Sequence, residues 1–197
     1  MKKIGRGWQY TTYDLGNGRV LKKYNSRFIA YLYIFKQIFL VESHKIFKIP
    51  AYYRGCKETA VDSIKKITSM KPNLSMLGNP KFVGGLDYEQ DKLKPLHDYF
   101  VEVSVEKGKR AIDAFVDFNK TLIKQRLIDK SFNIAKNFAL DAHGRIILMD
   151  LGELYSSPVS IEARRRNRAW AERYVVEALP EALRDYFLEK MDTAFKM

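Results

Sequence analysis

Residues 2–24 alternate short apolar and polar stretches: a segment around Ile4, a run over 8–15 with Trp, Tyr and Thr, the triplet Gly16-Asn17-Gly18, and a run over 19–24. An Asn-Gly pair between two such runs predicts a hairpin, because both turn residues must reach positive φ. Two or three antiparallel strands are therefore expected first. Asn25-Ser26 offers a helix cap before the apolar run 28–41, and Pro50 is expected to stop any continuation beyond Ile49. Ala60, Val61, Ile64 and Ile67 recur at helical spacing and predict a second helix over 58–69. Pro72, Gly78, Pro80 and Gly84-Gly85 mark loops around a short strand at 81–83.

Further along, Tyr99, Phe100, Val101 and Val103 predict a buried strand over 97–105 that ends in Glu106-Lys107-Gly108. Ile112, Phe115, Val116, Phe118, Leu122 and Ile123 predict a helix over 111–126, with irregular chain following at 129–136. Strands at 138–140 and 145–149 are expected to form a hairpin through Asp141-Ala142-His143-Gly144. Two helices, 161–178 and 180–194, complete the chain, the second opened by Pro180 at a permitted first-turn position. This order predicts an α+β fold in two parts, a β-rich one over 1–105 and a helical one over 106–197.

Composition narrows the function classes. With 197 residues, a 46% hydrophobic share and 13% aromatics, the chain can bury a substantial core, and no stretch has the composition of disorder. A single cysteine, Cys56, excludes an internal disulfide and a thiolate-rich zinc site. His44, His97 and His143 are scattered without metal-ligand spacing, and no Ser-His-Asp elbow supports hydrolase chemistry. The lysines at the start are not followed by an apolar stretch, so a cytoplasmic protein is expected. The run 28–41, interrupted by Lys36 and Gln37, is shorter than the roughly 18–20 residues that span a bilayer. A buried helix is expected there, ahead of a membrane-surface helix. The net charge of +12 implies attraction to polyanions without naming one.

Candidate chemistry concentrates between Asn137 and Gly152. The pattern sets an amide, Asn137, before one strand and a carboxylate, Asp150, after the next, so both side chains are expected at one edge of the hairpin. Magnesium takes oxygen ligands and keeps several waters, so one carboxylate and one amide oxygen suffice when nucleotide phosphates supply the rest.

This stretch resembles the protein-kinase-like superfamily, in which an Asn ends the catalytic loop and an Asp-x-Gly triplet follows a β-hairpin. Asp150-Leu151-Gly152 stands in the triplet's place, and its separation from Asn137 matches the family spacing. The resemblance implies a minimal two-lobed fold, with an N-terminal antiparallel sheet plus helix and a mostly helical C-terminal lobe. It also implies ATP and Mg2+ as cofactors, with Asn137 and Asp150 holding the metal. Gly5-Arg6-Gly7 would serve as the loop over the phosphates, Lys22 as the phosphate-binding lysine and Val20 as the cover of the base, on the same strand face as Lys22. Glu102 and Val103 would end the strand that leads into the base-binding hinge. Glu42 leads as the acid that orients Lys22, with Glu58 and Asp62 as alternatives.

One departure bears on activity. The family places an Asp five positions before the loop Asn, where it takes the acceptor's proton, and here Phe132 occupies that position. Asp129 lies upstream of that register and is the loop's candidate catalytic carboxylate, beside Lys22 and Asp150; Ser131 adjoins Phe132, and Asn133 cannot act as a base. The pattern is similar to that of the bacterial YrbL-like family, small kinase-like proteins whose loop also lacks the ordinary Asp and whose metal triplet runs into a glutamate, here Glu153. Three functions stay open: an ATP-dependent phosphotransferase acting on a protein or anionic glycolipid hydroxyl, a pseudokinase that binds nucleotide or a partner, and a nucleic-acid binder using Arg164, Arg165, Arg166 and Arg168 beside Trp170.

Overall fold

The computed structural model describes residues 1–41, 48–70 and 72–196, and shows an α+β protein. The chain divides into two compact units: the first takes Met1–Leu74 and Gly78–Lys92, the second Ser75–Leu77 and the chain from Leu93 onward. The boundary expected at residue 105 thus falls inside the second unit. Among the described residues no helix is long and apolar enough to cross a membrane.

The first unit is built on a five-stranded antiparallel sheet of β1 (Lys2–Arg6), β2 (Tyr10–Asp14), β3 (Arg19–Tyr24), β4 (Lys81–Gly84) and β5 (Asp87–Asp91), in the order β1-β2-β3-β5-β4. The β2–β3 hairpin forms as expected, with Asp14 opposite Val20, but its loop is longer than a two-residue turn. Positive φ falls on Gly16 and Gly18 and not on Asn17, whose side-chain oxygen instead accepts from the Arg19 amide at 3.2 Å. Of the Asn25-Ser26 pair, Ser26 takes the position before α1, its carbonyl accepting from the Ala30 amide at 3.0 Å, while Asn25 turns to the sheet. Its Nδ2 donates to the carbonyls of Gly7 and Trp8 at 2.8 and 2.9 Å, which ties the β1–β2 turn to the end of β3.

Between β3 and β4 run α1 (Arg27–Val41) and α2 (Ile49–Met70). Pro50 sits in the first turn of α2 and does not end a helix, because the N–H it lacks has no intrahelical partner there. The expectation that α1 is buried fails over its first part: Ala30 and Ile34 face the core while Phe28, Leu32 and Phe35 are exposed.

In the second unit, β6 (Lys94–Pro95), β8 (Phe138–Leu140) and β9 (Ile146–Leu148) form one antiparallel sheet, and β7 (Ile128–Asp129) pairs with β10 (Leu154–Tyr155). The buried strand expected at 97–105 is instead α3 (Leu96–Glu102). Leu96 and Phe100, four apart, are buried while Val101 is 72% exposed, so the apolar cluster has helical and not two-faced character. The helix expected at 111–126 is present as α4 (Val105–Lys124), and it packs on the C-terminal α8 (Glu181–Phe195). Gly108 permits their close approach, since a Cβ there would lie 2.6 Å from Leu183 Cδ1.

α5 (Ile134–Asn137) is a single turn that leads into β8. The helix expected over 161–178 is broken into α6 (Pro158–Arg166), a 3-10 turn (Ala169–Ala171) and α7 (Arg173–Val176). The break is at Arg168, which takes φ +48 and forks onto the Asp192 carboxylate, where Trp170 Nε1 also donates at 3.0 Å.

Candidate functional site

The site assembles at the end of β7. Asp129 enters the loop fully buried and becomes the acceptor around which the next eight residues fold. Its Oδ2 accepts from the Ser131 amide (3.2 Å), the Ser131 hydroxyl (3.0 Å) and the Asn133 amide (3.2 Å), while its Oδ1 accepts from Asn137 Nδ2 at 2.8 Å. Phe132 adopts φ +52 at the apex of this wrap, and its ring is buried between Trp170 and Phe195, at 5.7 and 5.9 Å. The left-handed residue turns the chain back on itself, so Asp129 meets Asn137 despite lying eight positions before it. Asn133 closes the wrap by accepting from the Lys136 amide at 3.2 Å.

Asn137 joins this loop to the β8–β9 hairpin. Its backbone carbonyl accepts from the amides of Met149 and Asp150 at 2.9 and 3.3 Å, so the amide side chain and the Asp150 carboxylate start from hydrogen-bonded backbone at one edge of the hairpin. Because Nδ2 is committed inward, to Asp129 and to the Ser131 hydroxyl at 3.3 Å, the amide oxygen is the atom left to face a ligand. Asp150 Oδ1 accepts from the Gly152 amide at 3.2 Å.

Glu153 is the neighbour that spacing alone did not assign to the site. Its side chain is 18% exposed, Lys130 Nζ lies 3.6 Å from its Oε1, and that oxygen is buried with no hydrogen-bond partner. Burial pushes the Glu153 carboxyl up to about 7, with the charges of Asp150 and Asp129 adding to the rise and Lys130 opposing it. Burial likewise raises Asp129 to about 6, against the hydrogen bonds from Asn137 and Ser131 and with the Asp150 charge adding. Three carboxylates thus feel one another's charge across a largely enclosed region. The Lys130 carbonyl is held by Arg164 Nε at 2.6 Å, and Arg164 Nη2 reaches Glu172 at 2.8 Å.

The donor set fits a hard divalent cation only in part. Among the described residues no group of three or more His, Cys, Asp or Glu is arranged to hold a metal unaided. Asn137 and Asp150 offer one amide and one carboxylate oxygen, the pair that magnesium uses when phosphate and water complete its shell. Glu153 Oε1, buried with the Lys130 ammonium 3.6 Å away, adds a third carboxylate whose charge reaches Asp150.

The remaining expected positions lie as follows. Gly5 is in β1, and Gly7 starts the β1–β2 turn, donating to the Tyr10 carbonyl at 2.8 Å. Val20 is buried in β3, and Lys22, two residues on, sets its ammonium 5.9 Å from the centre of the Tyr88 ring. Glu58 and Asp62 are exposed positions of α2, and Glu42 lies outside the described residues. Glu102 and Val103 do not end a strand: Glu102 closes α3 and pairs with Lys94, while Val103 lines a cleft of about 410 Å³ with Tyr99, Lys107 and Arg110. The chain instead leaves the sheet unit after β5, at Lys92.

The arginine block is largely engaged within the fold. Arg164 holds Lys130 and Glu172, Arg165 Nε donates to the Phe195 carbonyl at 3.2 Å, and Arg168 binds Asp192. Comparison of the chain with known protein families and with curated proteins finds no match.

Proposed function

We propose that this chain has a minimal protein-kinase-like fold, binds ATP with magnesium, and transfers phosphate to the hydroxyl of a protein or an anionic glycolipid. The observation that carries the reading is the double hold on Asn137: side chain to Asp129, backbone carbonyl to the Met149 and Asp150 amides. Such a hold would preset an amide oxygen and a carboxylate oxygen for one metal ion. Further support comes from the order of parts, an antiparallel sheet carrying a lysine on its third strand, followed by a helical unit with the amide and carboxylate on a hairpin.

The roles follow from the chemistry of each group. Magnesium bound with the nucleotide would neutralise charge on the transferring phosphoryl group. Asn137 and Asp150 would hold it, and Lys22 would neutralise phosphate oxygens. Asp129 has no exposed surface with which to touch an acceptor, so it acts as a positioning residue that fixes Asn137. Without a carboxylate five places before Asn137, the reaction relies on positioning and charge. The missing base lowers the rate by about 10²–10⁴-fold without abolishing it.

A pseudokinase is the second reading, and Phe132 favours it. The residue at the usual base position is locked into the core between Trp170 and Phe195. A thermal-shift titration separates binding from its absence. Magnesium with ATP is expected to raise the melting temperature of the native chain, with the rise lost in Asp150→Ala and reduced in Lys22→Ala. A labelled-phosphate transfer assay on the same proteins then divides enzyme from pseudokinase. An unchanged shift in Asp150→Ala would remove the proposed metal site.

A further inference from the structure

The first part of α1 is apolar on both its buried and its exposed face. At about 3.6 residues per turn, Phe28, Leu32 and Phe35 fall on one stripe, and their exposures of 73%, 53% and 43% place that stripe in solvent. Ala30 and Ile34, on the opposite face, are the positions this stretch buries. Arg27 and Lys36 lie at the two edges of the apolar stripe, and both are exposed. The Arg27 guanidinium stacks over the Tyr31 ring at 5.1 Å, and Tyr31 in turn packs edge-on against Tyr53 of α2, so the helix is anchored from its flank.

Charge selects what such a face can meet. From Leu15 to Val41 the chain contains no Asp or Glu, while Lys22, Lys23, Arg27 and Lys36 fall within that stretch, on a chain of net charge +12. Large apolar side chains flanked by long cationic ones, in a stretch of chain without carboxylates, match a bilayer interface that is apolar below and anionic above. An acidic protein groove would leave the three large side chains to find apolar pockets, whereas acyl chains accept them without shaped complementarity.

We propose that the exposed face of α1 docks the protein on an anionic lipid bilayer, with Phe28, Leu32 and Phe35 entering the acyl boundary and Arg27 and Lys36 meeting lipid phosphates. The docking uses none of the residues assigned to the nucleotide and needs no nucleotide.

The test is co-sedimentation of the full chain with vesicles of phosphatidylcholine alone and of phosphatidylcholine mixed with phosphatidylglycerol. The native protein is expected to bind the mixed vesicles and to release from them as salt is raised. The double substitution Phe28→Asp, Leu32→Asp is expected to lower that binding by about tenfold or more with an unchanged melting temperature, because both side chains are already in water. Lys36→Gln is expected to lower it about fivefold. Three results would overturn the proposal: no binding of the native protein to the mixed vesicles, equal binding by the double variant, or a native dimer that the double variant converts to monomer without any vesicle binding. The last would assign the face to a second copy of the chain.

Discussion

The loop from Asp129 to Asn137 and the opening turns of α1 depart from the rule of apolar inside and polar outside in opposite directions. In the loop, a carboxylate lies at zero exposure within a cage of four donors. In the helix, phenylalanine and leucine side chains stand in water. The first departure costs desolvation that hydrogen bonds offset, and it returns a fixed Asn137. The second leaves a contiguous apolar stripe at the surface, which is the usual mark of a surface made for something else. Each departure predicts a different response to substitution.

The largest effect is expected where the cage meets the core. Phe132→Ala removes a ring packed between Trp170 and Phe195 and should cost about 3–5 kcal/mol in chemical denaturation. It should not create a base, so phosphate transfer should not rise. Asp129→Ala strips the acceptor from Ser131, Asn133 and Asn137 at once, and about 3 kcal/mol or more is expected, together with loss of the nucleotide-induced thermal shift. If that variant keeps both native stability and the shift, Asp129 is not the hub of the loop.

The pH dependence of stability sharpens the same contrast. Asp129 and Glu153 hold protons in the folded chain up to about 6 and about 7, above their ordinary values of 3.8 and 4.5. Between those limits the folded state binds more protons than the unfolded one, so this contribution to stability is full at low pH and falls as pH rises from about 4 to 7. Melting curves across that range, in chelator, should show the decline, and Glu153→Gln should flatten its upper part. A stability that climbs through the same window in both proteins would contradict the burial of the two carboxyls.

Smaller effects are expected away from the loop. Gly108→Ala places a methyl against Leu183 and should destabilise by about 1–3 kcal/mol as α4 and α8 adjust. Leu32→Asp should change stability by about 0.5 kcal/mol or less, since it alters an already exposed position.

Local chemistry made much of this fold legible in the sequence. Strands β2, β3, β8 and β9 follow from alternating runs around Gly-containing turns, and α4 follows from a helical stripe. Two kinds of element escaped. α3 was hidden because Tyr99, Phe100, Val101 and Val103 carry no decisive period, and only tertiary burial of Leu96 and Phe100 separates helix from strand. β5 escaped because Asp87-Tyr88-Glu89-Gln90-Asp91 is polar, although Tyr88 and Gln90 point inward within the sheet.

The candidate site divides in the same way. The spacing of Asn137 and Asp150 was readable because a short hairpin fixes it. The contact between Asp129 and Asn137 was not, since it depends on a phenylalanine at positive φ, which carries no signal in composition or register. Glu153 joins the site through burial and through the β7–β10 pairing that brings its backbone to Lys130, and neither is visible in a linear pattern.

The central claim is that the amide of Asn137 and the carboxylate of Asp150 hold magnesium with a nucleotide. Isothermal titration of the native chain with ATP, in magnesium and then in chelator, tests it most directly when repeated on Asn137→Ala and Asp150→Ala. Saturable binding that requires the metal and is lost in Asp150→Ala is the predicted result, with Asn137→Ala weakened. Binding of equal strength in chelator, or in the Asp150 variant, would contradict it.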